Sequence, residues 1–340
     1  MPNPSTELPS PVAPDFLRFI VPVFNRPEEL AELLTSLAGQ SDKRFAITVV
    51  EDGSTRPSKE VVDSFSHQMK VLYLSKSNSG PGPSRNYGCL HSDGDFFVFV
   101  DSDCVLPSQY VETVLTALAA HPAHAYGGPD AAHESFSPLQ KAINHVMTSF
   151  LTTGGIRGGS ERVAKFMPRS FNMGFSRAVF QQTGGFPEVR FAPAKAAGED
   201  LDLSYSILEA GFQVIRIPEA FVWHKRRTNW SQFRRQVFNF GYARITVSKR
   251  HPGTLRWVHG APSVYVLSLI SCLCLALAHS PVWLVGHALH ALAIGVSGGI
   301  RERSIAVGFL SLLAGIVQLV GYGTGFLRAV LAPLDLNSRP

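Results

Sequence analysis

The sequence predicts an α/β domain on a mostly parallel, Rossmann-like sheet, followed by helices apolar enough to sit in lipid. Two observations carry this. Between residues 17 and 103, short and nearly continuous apolar runs alternate with stretches of helical period, as they do where strands are covered on both faces. Charged residues make up only 17% of the chain, against about 25% in a typical soluble domain. They thin out after about residue 260, where long apolar runs take over. The 340 residues suffice for one large domain or two ordinary ones.

Leu17–Val23 reads as a buried strand, bounded by Pro22 and Asn25. Pro27 to Leu37 reads as a helix, with Leu30, Leu33, Leu34 and Leu37 on one face and Gly39 after its end. Phe45–Val50 is a second strand, running into Glu51-Asp52-Gly53-Ser54, and Ser58 to Phe65 a helix. Val71–Leu74 is a third strand, followed by a loop from Asn78 to Pro83 and a helix from Ser84 to His91. Asp95–Val100 is a fourth strand, ending at Asp101-Ser102-Asp103. Ligands of such sheets bind beyond the carboxyl ends of the strands, and Asn25, Asp52 and Asp101/Asp103 all follow a strand.

The middle is less regular. Pro107–Ala120 reads as a helix, residues 154–160 as a glycine-rich mobile loop, and Phe171–Ser176 as a strand leading into a helix over Arg177–Thr183. Gly198-Glu199-Asp200 precedes a helix, and short strands follow at Phe212–Ile217 and Ala220–Trp223. Trp230 to Arg250 is a long helix mixing arginines with aromatics, a pattern that fits the headgroup region of a membrane.

Three apolar runs come next, Ala261–Ala278, Pro281–Ile300 and Ile305–Leu327, each close to the roughly 20 residues that cross a bilayer. The division expected is a disordered leader (1–15), an α/β domain (16–228), a basic amphipathic interface helix (229–258), a membrane domain of two to three helices (259–330) and a tail (331–340). The leader lacks the basic and apolar regions of a signal peptide. Arg301 and Arg303 between the last two runs place that loop, and the α/β domain with it, on the cytoplasmic side of a multi-pass inner-membrane protein. The net charge of +5 owes much to Lys225–Arg256, directly before the first apolar run. That placement points to membrane lipids rather than nucleic acid, the plain alternative being a solvated basic helix. The four cysteines form no C-x-x-C pair, so neither a zinc framework nor a redox motif is indicated.

Asp101 and Asp103, two apart at the end of an apolar strand, suit a hard divalent cation, Mg2+ or Mn2+, bridging them to phosphate oxygens. Such triplets also arise in ordinary turns. Asp52 can accept from a base N–H or a ribose hydroxyl, or can simply make the Asp-Gly turn. Glu199 and Asp200 stand at a helix N-terminus, which favours an ionised carboxylate able to act as a general base. A plain helix cap is the other reading of Asp200. His224 follows a strand and precedes three basic residues; it is a candidate metal or phosphate ligand, or a structural histidine.

Six pieces occur in order: Ile20-Val-Pro-Val-Phe-Asn25, Val50-Glu-Asp-Gly-Ser54, Asn78-Ser-Gly-Pro-Gly-Pro-Ser-Arg-Asn86, Asp101-Ser-Asp103, Phe171-Asn-Met-Gly174 and Gly198-Glu-Asp200. Residues 17 to 250 with these motifs resemble the family 2 glycosyltransferases. That resemblance implies the GT-A nucleotide-diphospho-sugar transferase fold and an inverting transfer. It also implies a nucleotide-sugar donor, with uridine the expected nucleoside and guanosine or thymidine left open. The acceptor would be a glycan or lipid-linked hydroxyl. Donor contacts would come from Pro22, Asn25, Asp52, Arg85, Asn86, Asp101 and Ser102. Asp101, Asp103 and His224 would hold the metal. Asp200 would be the base, with Glu199 beside it.

Processive synthases of that family usually carry Q-x-x-R-W. Here the nearest sequence is Gln232-Phe-Arg-Arg-Gln236, without a tryptophan in register, which favours transfer of a single sugar. Two other classes fit worse: a nucleotidyltransferase wants a glycine-rich basic loop near the first strand, and a nicotinamide dehydrogenase wants G-x-G-x-x-G there. A membrane scaffold with a degenerate nucleotide-sugar domain is the non-enzymatic alternative, and such a relic has no need of a base.

Overall fold

The computed structural model describes residues 8–131, 133, 136–155, 167–188 and 197–332. The first seven residues, most of the glycine-rich segment 154–160 and the tail beyond 332 lie outside the described residues. The chain divides into two compact units. A sheet unit comprises residues up to 131 with 167–188 and 199–224; a helical unit comprises the remainder.

In the sheet unit, β1 (Leu17–Val23), α1 (Pro27–Ala38), β2 (Phe45–Asp52), α2 (Lys59–Phe65), β3 (Val71–Lys76), α3 (Pro81–Leu90) and β4 (Phe96–Val100) alternate as expected. Every residue of β2 and β4 is buried, and so is all of β1 except Arg18, which is why these strands read as unbroken apolar runs. With β6 (Ala125–Gly127), β8 (Asn172–Ser176) and β9 (Val214–Arg216) they form a seven-stranded sheet, ordered β3-β2-β1-β4-β8-β6-β9. The pairs β1–β2, β1–β4, β2–β3 and β6–β9 are parallel; β8 runs antiparallel to both neighbours. From β3, at one edge, the chain returns through α3 to β4 on the far side of β1. The strand order therefore reverses between β1 and β4, the place where open α/β sheets bind ligands.

A second sheet, ordered β5-β10-β7, joins β5 (Cys104–Val105), β7 (Asp130–Ala131) and β10 (Val222–His224). It sets His224 in register with Cys104, one residue past the D-x-D triplet. The remaining helices of this unit are α4 (Tyr110–Ala120), α7 (Arg177–Thr183) and α8 (Glu199–Glu209).

Three details differ from the sequence reading. α3 starts at Pro81, not Ser84, because Pro81 and Pro83 fall in its first turn, where a missing N–H costs nothing. Glu199 and Asp200 lie inside the first turn of α8 rather than before it. Residues 8–15 form no helix or strand, yet Leu8 packs beside Phe212 and the Pro9 carbonyl lies 2.7 Å from His124 Nε2.

The helical unit contains α5 (Pro138–Thr148), α6 (Phe150–Thr153), α9 (Trp230–Arg250), α10 (Trp257–Ala278), a 3-10 turn at Pro281–Leu284, α11 (Val285–Glu302) and α12 (Ile305–Leu331). α10, α11 with its preceding turn, and α12 span 22, 22 and 27 residues, each long and apolar enough to cross a membrane. α5 was hidden in the irregular middle of the sequence. Its start is a reciprocal cap between Ser137 and Gln140 with Pro138 at the first helical position. Its Ile143, Val146 and Met147 form a core with Phe233, Val237, Ile294, Ala314 and Leu319.

α9 packs its Phe233–Val237 face on α12. A Cβ on Gly241 would collide with the Tyr322 carbonyl, and one on Gly325 with the Phe238 carbonyl, so the two backbones touch. The apolar face of α9 is thus covered by protein, while Arg234 and Arg235 stay exposed. The polar residues that interrupt the apolar runs find partners. Gln318 Nε2 donates to the Val146 carbonyl at 3.1 Å, His287 Nε2 lies 3.1 Å from Ser268 Oγ, and His290 Nε2 lies 3.1 Å from the Leu151 carbonyl.

Candidate active site

The strand ends of the sheet unit hold most of the residues singled out in the sequence. Pro22 is buried within β1, opposite Val50. Asn25 has a φ of +55°, a left-handed conformation that asparagine tolerates. Its Oδ1 accepts from the Thr55 and Arg56 amides at 2.9 and 3.0 Å, tying the loop after β1 to the loop after β2.

Asp52 is buried, and both its carboxylate oxygens are engaged. Oδ1 accepts from Lys76 Nζ at 3.0 Å and the Ser79 amide at 2.9 Å; Oδ2 accepts from the Gly80 amide at 2.8 Å. Asp52 therefore organises the turn that launches α3. One turn into that helix, Arg85 and Asn86 point inward. The Asn86 amide exchanges two hydrogen bonds with the backbone of Phe186, at 2.7 and 2.8 Å. Arg85 Nη2 donates to Asp101 Oδ1 at 2.6 Å, and Nη1 to Glu199 Oε1 at 2.8 Å.

Around the D-x-D triplet three segments converge. Asp101, the buried Ser102 and Asp103 follow β4; Arg26, just after β1, pairs with Asp103. His224 on β10 brings Nε2 to 3.3 Å from Asp103 Oδ1 and 3.9 Å from Asp101 Oδ2. Its ring lies against Phe171, with centroids 4.8 Å apart. Ligand atoms of Asp103, Cys104 and His224 lie within 4.8 Å of one another. Burial pushes the Cys104 thiol well above its ordinary pKa, and the charges of Asp103 and Asp101 add to the shift. The thiol stays protonated and is a poor donor. Two carboxylates and an imidazole remain, a set that fits a hard or borderline divalent ion such as Mg2+ or Mn2+.

Glu199 and Asp200, neighbours in sequence, have different surroundings. The Glu199 side chain is 7% exposed and that of Asp200 18%. Burial raises the Glu199 pKa to about 7, against the pull of Arg85. Asp200 Oδ1 accepts from the Leu201 amide at 2.8 Å, and Oδ2 lies 3.3 Å from Arg169 Nη1.

Arg26 and Phe186 are parts of this cluster that the sequence does not assign, while Arg169 ends the segment 154–169 expected to help line the acceptor pocket. Arg26 could have been found as the cation adjoining the Asn25 turn. Phe186 carries no local signal, because its partner is distant in sequence.

Sheet order, a D-x-D turn at the switch point and an acidic helix start fit the GT-A fold. Residues 19–184 match the model of glycosyl transferase family 2. The pre-mycofactocin glycosyltransferase of Mycobacterium tuberculosis is 28% identical over 240 residues, covering 68% of this chain and 47% of that protein. Glycosyltransferase GlyA of Streptococcus pneumoniae is 36% identical over 110 residues, covering 32% of this chain and 16% of that protein. The chain thus spans less than half the length of these curated relatives. Among solved structures, the mannosyltransferase PcManGT of Pyrobaculum calidifontis, in complex with GDP-Man and Mn2+, superposes with a TM-score of 0.55 at 15% identity. That match covers 95% of this chain and 90% of that one.

Proposed function

We propose that the protein is a membrane-associated, inverting glycosyltransferase that moves one sugar from a nucleotide-diphosphate-sugar, a UDP-sugar in the first instance, to a hydroxyl of a glycan or lipid-linked acceptor. The observation that carries this is the meeting of Asp101, Asp103 and His224 at the sheet's switch point, in the same unit as the acidic turn of α8. The mannosyltransferase with GDP-Man and Mn2+ supports a nucleotide-sugar donor and a divalent ion, and the Staphylococcus aureus TarS structure with UDP-GlcNAc supports such a donor.

In this reading Asp101, Asp103 and His224 would hold Mg2+ or Mn2+, which would supply positive charge for the diphosphate. Asn25 and Asp52 shape the donor loops from within, and Arg26 and Arg85 fix the orientation of the two aspartates. Asp200 takes the proton of the acceptor hydroxyl while that oxygen bonds to the anomeric carbon. The bond from the anomeric carbon to the diphosphate breaks on the opposite side, and the nucleoside diphosphate departs with its electron pair. Glu199 serves Asp200 by holding the turn. The three helices long and apolar enough to cross a membrane support a place at the cytoplasmic face of the cell membrane, with the exposed Arg234 and Arg235 available to lipid headgroups.

The test is release of nucleoside diphosphate by detergent-solubilised protein across a panel of nucleotide sugars, with Mn2+, Mg2+ or EDTA. One donor should be turned over, with activity lost in EDTA. Asp103→Ala should fall at least about 100-fold, as removal of a charge-stabilising group does. Turnover indifferent to EDTA and to Asp103→Ala would overturn the metal-assisted mechanism.

A further inference from the structure

Arg85 does not face the crevice as a donor-binding arginine would. It is 2% exposed, and its guanidinium carbon sits 4.9 Å from the centre of the Phe186 ring. Its two terminal nitrogens go to different carboxylates, Asp101 of the D-x-D triplet and Glu199 beside Asp200. Those partners are 16 and 114 residues away in sequence. We infer that Arg85 is a positioning residue joining the D-x-D turn to the acidic turn of α8, so that the charge on Glu199 sets how tightly the D-x-D site holds a divalent cation. This rests on the metal site proposed above.

Three features support the coupling. First, the planar guanidinium fork can serve two carboxylates at once, whereas a lysine ammonium acts as a point charge. Second, Glu199 packs closely on the helix that carries Arg85: a Cβ on Gly82 of α3 would lie 2.5 Å from Glu199 Oε2. Third, Asp101 gives Oδ1 to Arg85, while its Oδ2 lies on the His224 side. One positive charge is thus shared between two carboxylates. If Glu199 becomes neutral, the full charge of Arg85 falls on Asp101 and makes that carboxylate a weaker ligand. Groups that orient a metal ligand from behind typically change affinity by about 10–100-fold when altered.

The experiment uses the full chain in detergent without donor or acceptor. Free Mn2+ is followed by its electron paramagnetic resonance signal as protein is titrated in, at pH 8. Wild type should bind one Mn2+, and Glu28→Gln, a surface control, should match it. Glu199→Gln should bind about 10–100-fold more weakly with unchanged stoichiometry. Arg85→Lys, which keeps the charge and loses the fork, should weaken binding in the same range, and it carries the test alone if the Gln variant does not fold. Wild-type affinity in either folded variant overturns the coupling. Wild type that binds no Mn2+ overturns the metal site, and the coupling with it.

Discussion

The D-x-D turn of the sheet unit gathers buried charges, whereas α10 and α12 of the helical unit turn the buried Ser263 and Gln318 to backbone carbonyls. Around the D-x-D turn, Asp101, Asp103 and Glu199 share Arg26, Arg85 and His224 within one connected cluster. In the helical unit, Gln318 meets a lone carbonyl of α5, and Ser263 donates to the Gly323 carbonyl at 3.2 Å. Connected charge creates an electric field at one point, which suits a cation and a reacting phosphate. Isolated pairs satisfy backbone and side chain and hold helices in place. The contrast shows where to look for chemistry in a chain of this kind: at buried polar groups that answer to each other.

The largest effect expected from breaking this contrast lies at Asp200. Asp200→Asn should lower kcat by about 100- to 10,000-fold, the range of general-base catalysis, while donor binding measured by calorimetry stays within a few-fold. A variant with near wild-type kcat would remove Asp200 from the base role.

Next comes the pH dependence of stability set by Glu199. Its folded pKa of about 7 lies above the ordinary glutamate value of 4.5, so the folded state holds the proton more tightly than the unfolded chain does. The stability this contributes is fully present below pH 4.5 and is lost as pH rises through 7. Raising the pH from 4.5 to 8 should therefore cost wild type up to roughly 3 kcal/mol more than Glu199→Gln. Melting curves of the two proteins at both ends of that range check this; parallel curves would contradict it.

The smallest effect belongs to the helical unit. Gly241→Ala sets a methyl group against the Tyr322 carbonyl, and overpacking of this kind costs about 1–3 kcal/mol. Thermal melts in detergent should show the loss. An unchanged melting temperature would mean that the α9–α12 contact is looser than its geometry.

Much of the sheet unit was legible because buried parallel strands announce themselves as apolar runs, with polar residues marking their carboxyl ends. Asp101, Asp103 and His224 stand out in the sequence in this way. The short strands β5, β6 and β7 were not, since two or three residues set no period. α5 carried a readable cap in Ser137-Pro138-Leu139-Gln140 that went unused. What sequence could not convey is partnership across distance. Arg85 stood beside Asn86 in one motif, yet the two side chains bond to residues about a hundred positions later. Asp52 reads in sequence as a donor contact or a turn former, and its bonds to the Ser79 and Gly80 amides of the loop before α3 carry no sequence signal.

The glycine contact between α9 and α12 also bears on how the chain is made. α9 is complete at residue 250, and its cover begins only at residue 305. At about 5–20 residues per second, a ribosome needs roughly 3–11 seconds to bridge that interval. Throughout it Phe233 and Val237 lack their neighbours on α12. Synthesis thus imposes an order that the finished fold conceals: the last helix to emerge closes a surface prepared long before it.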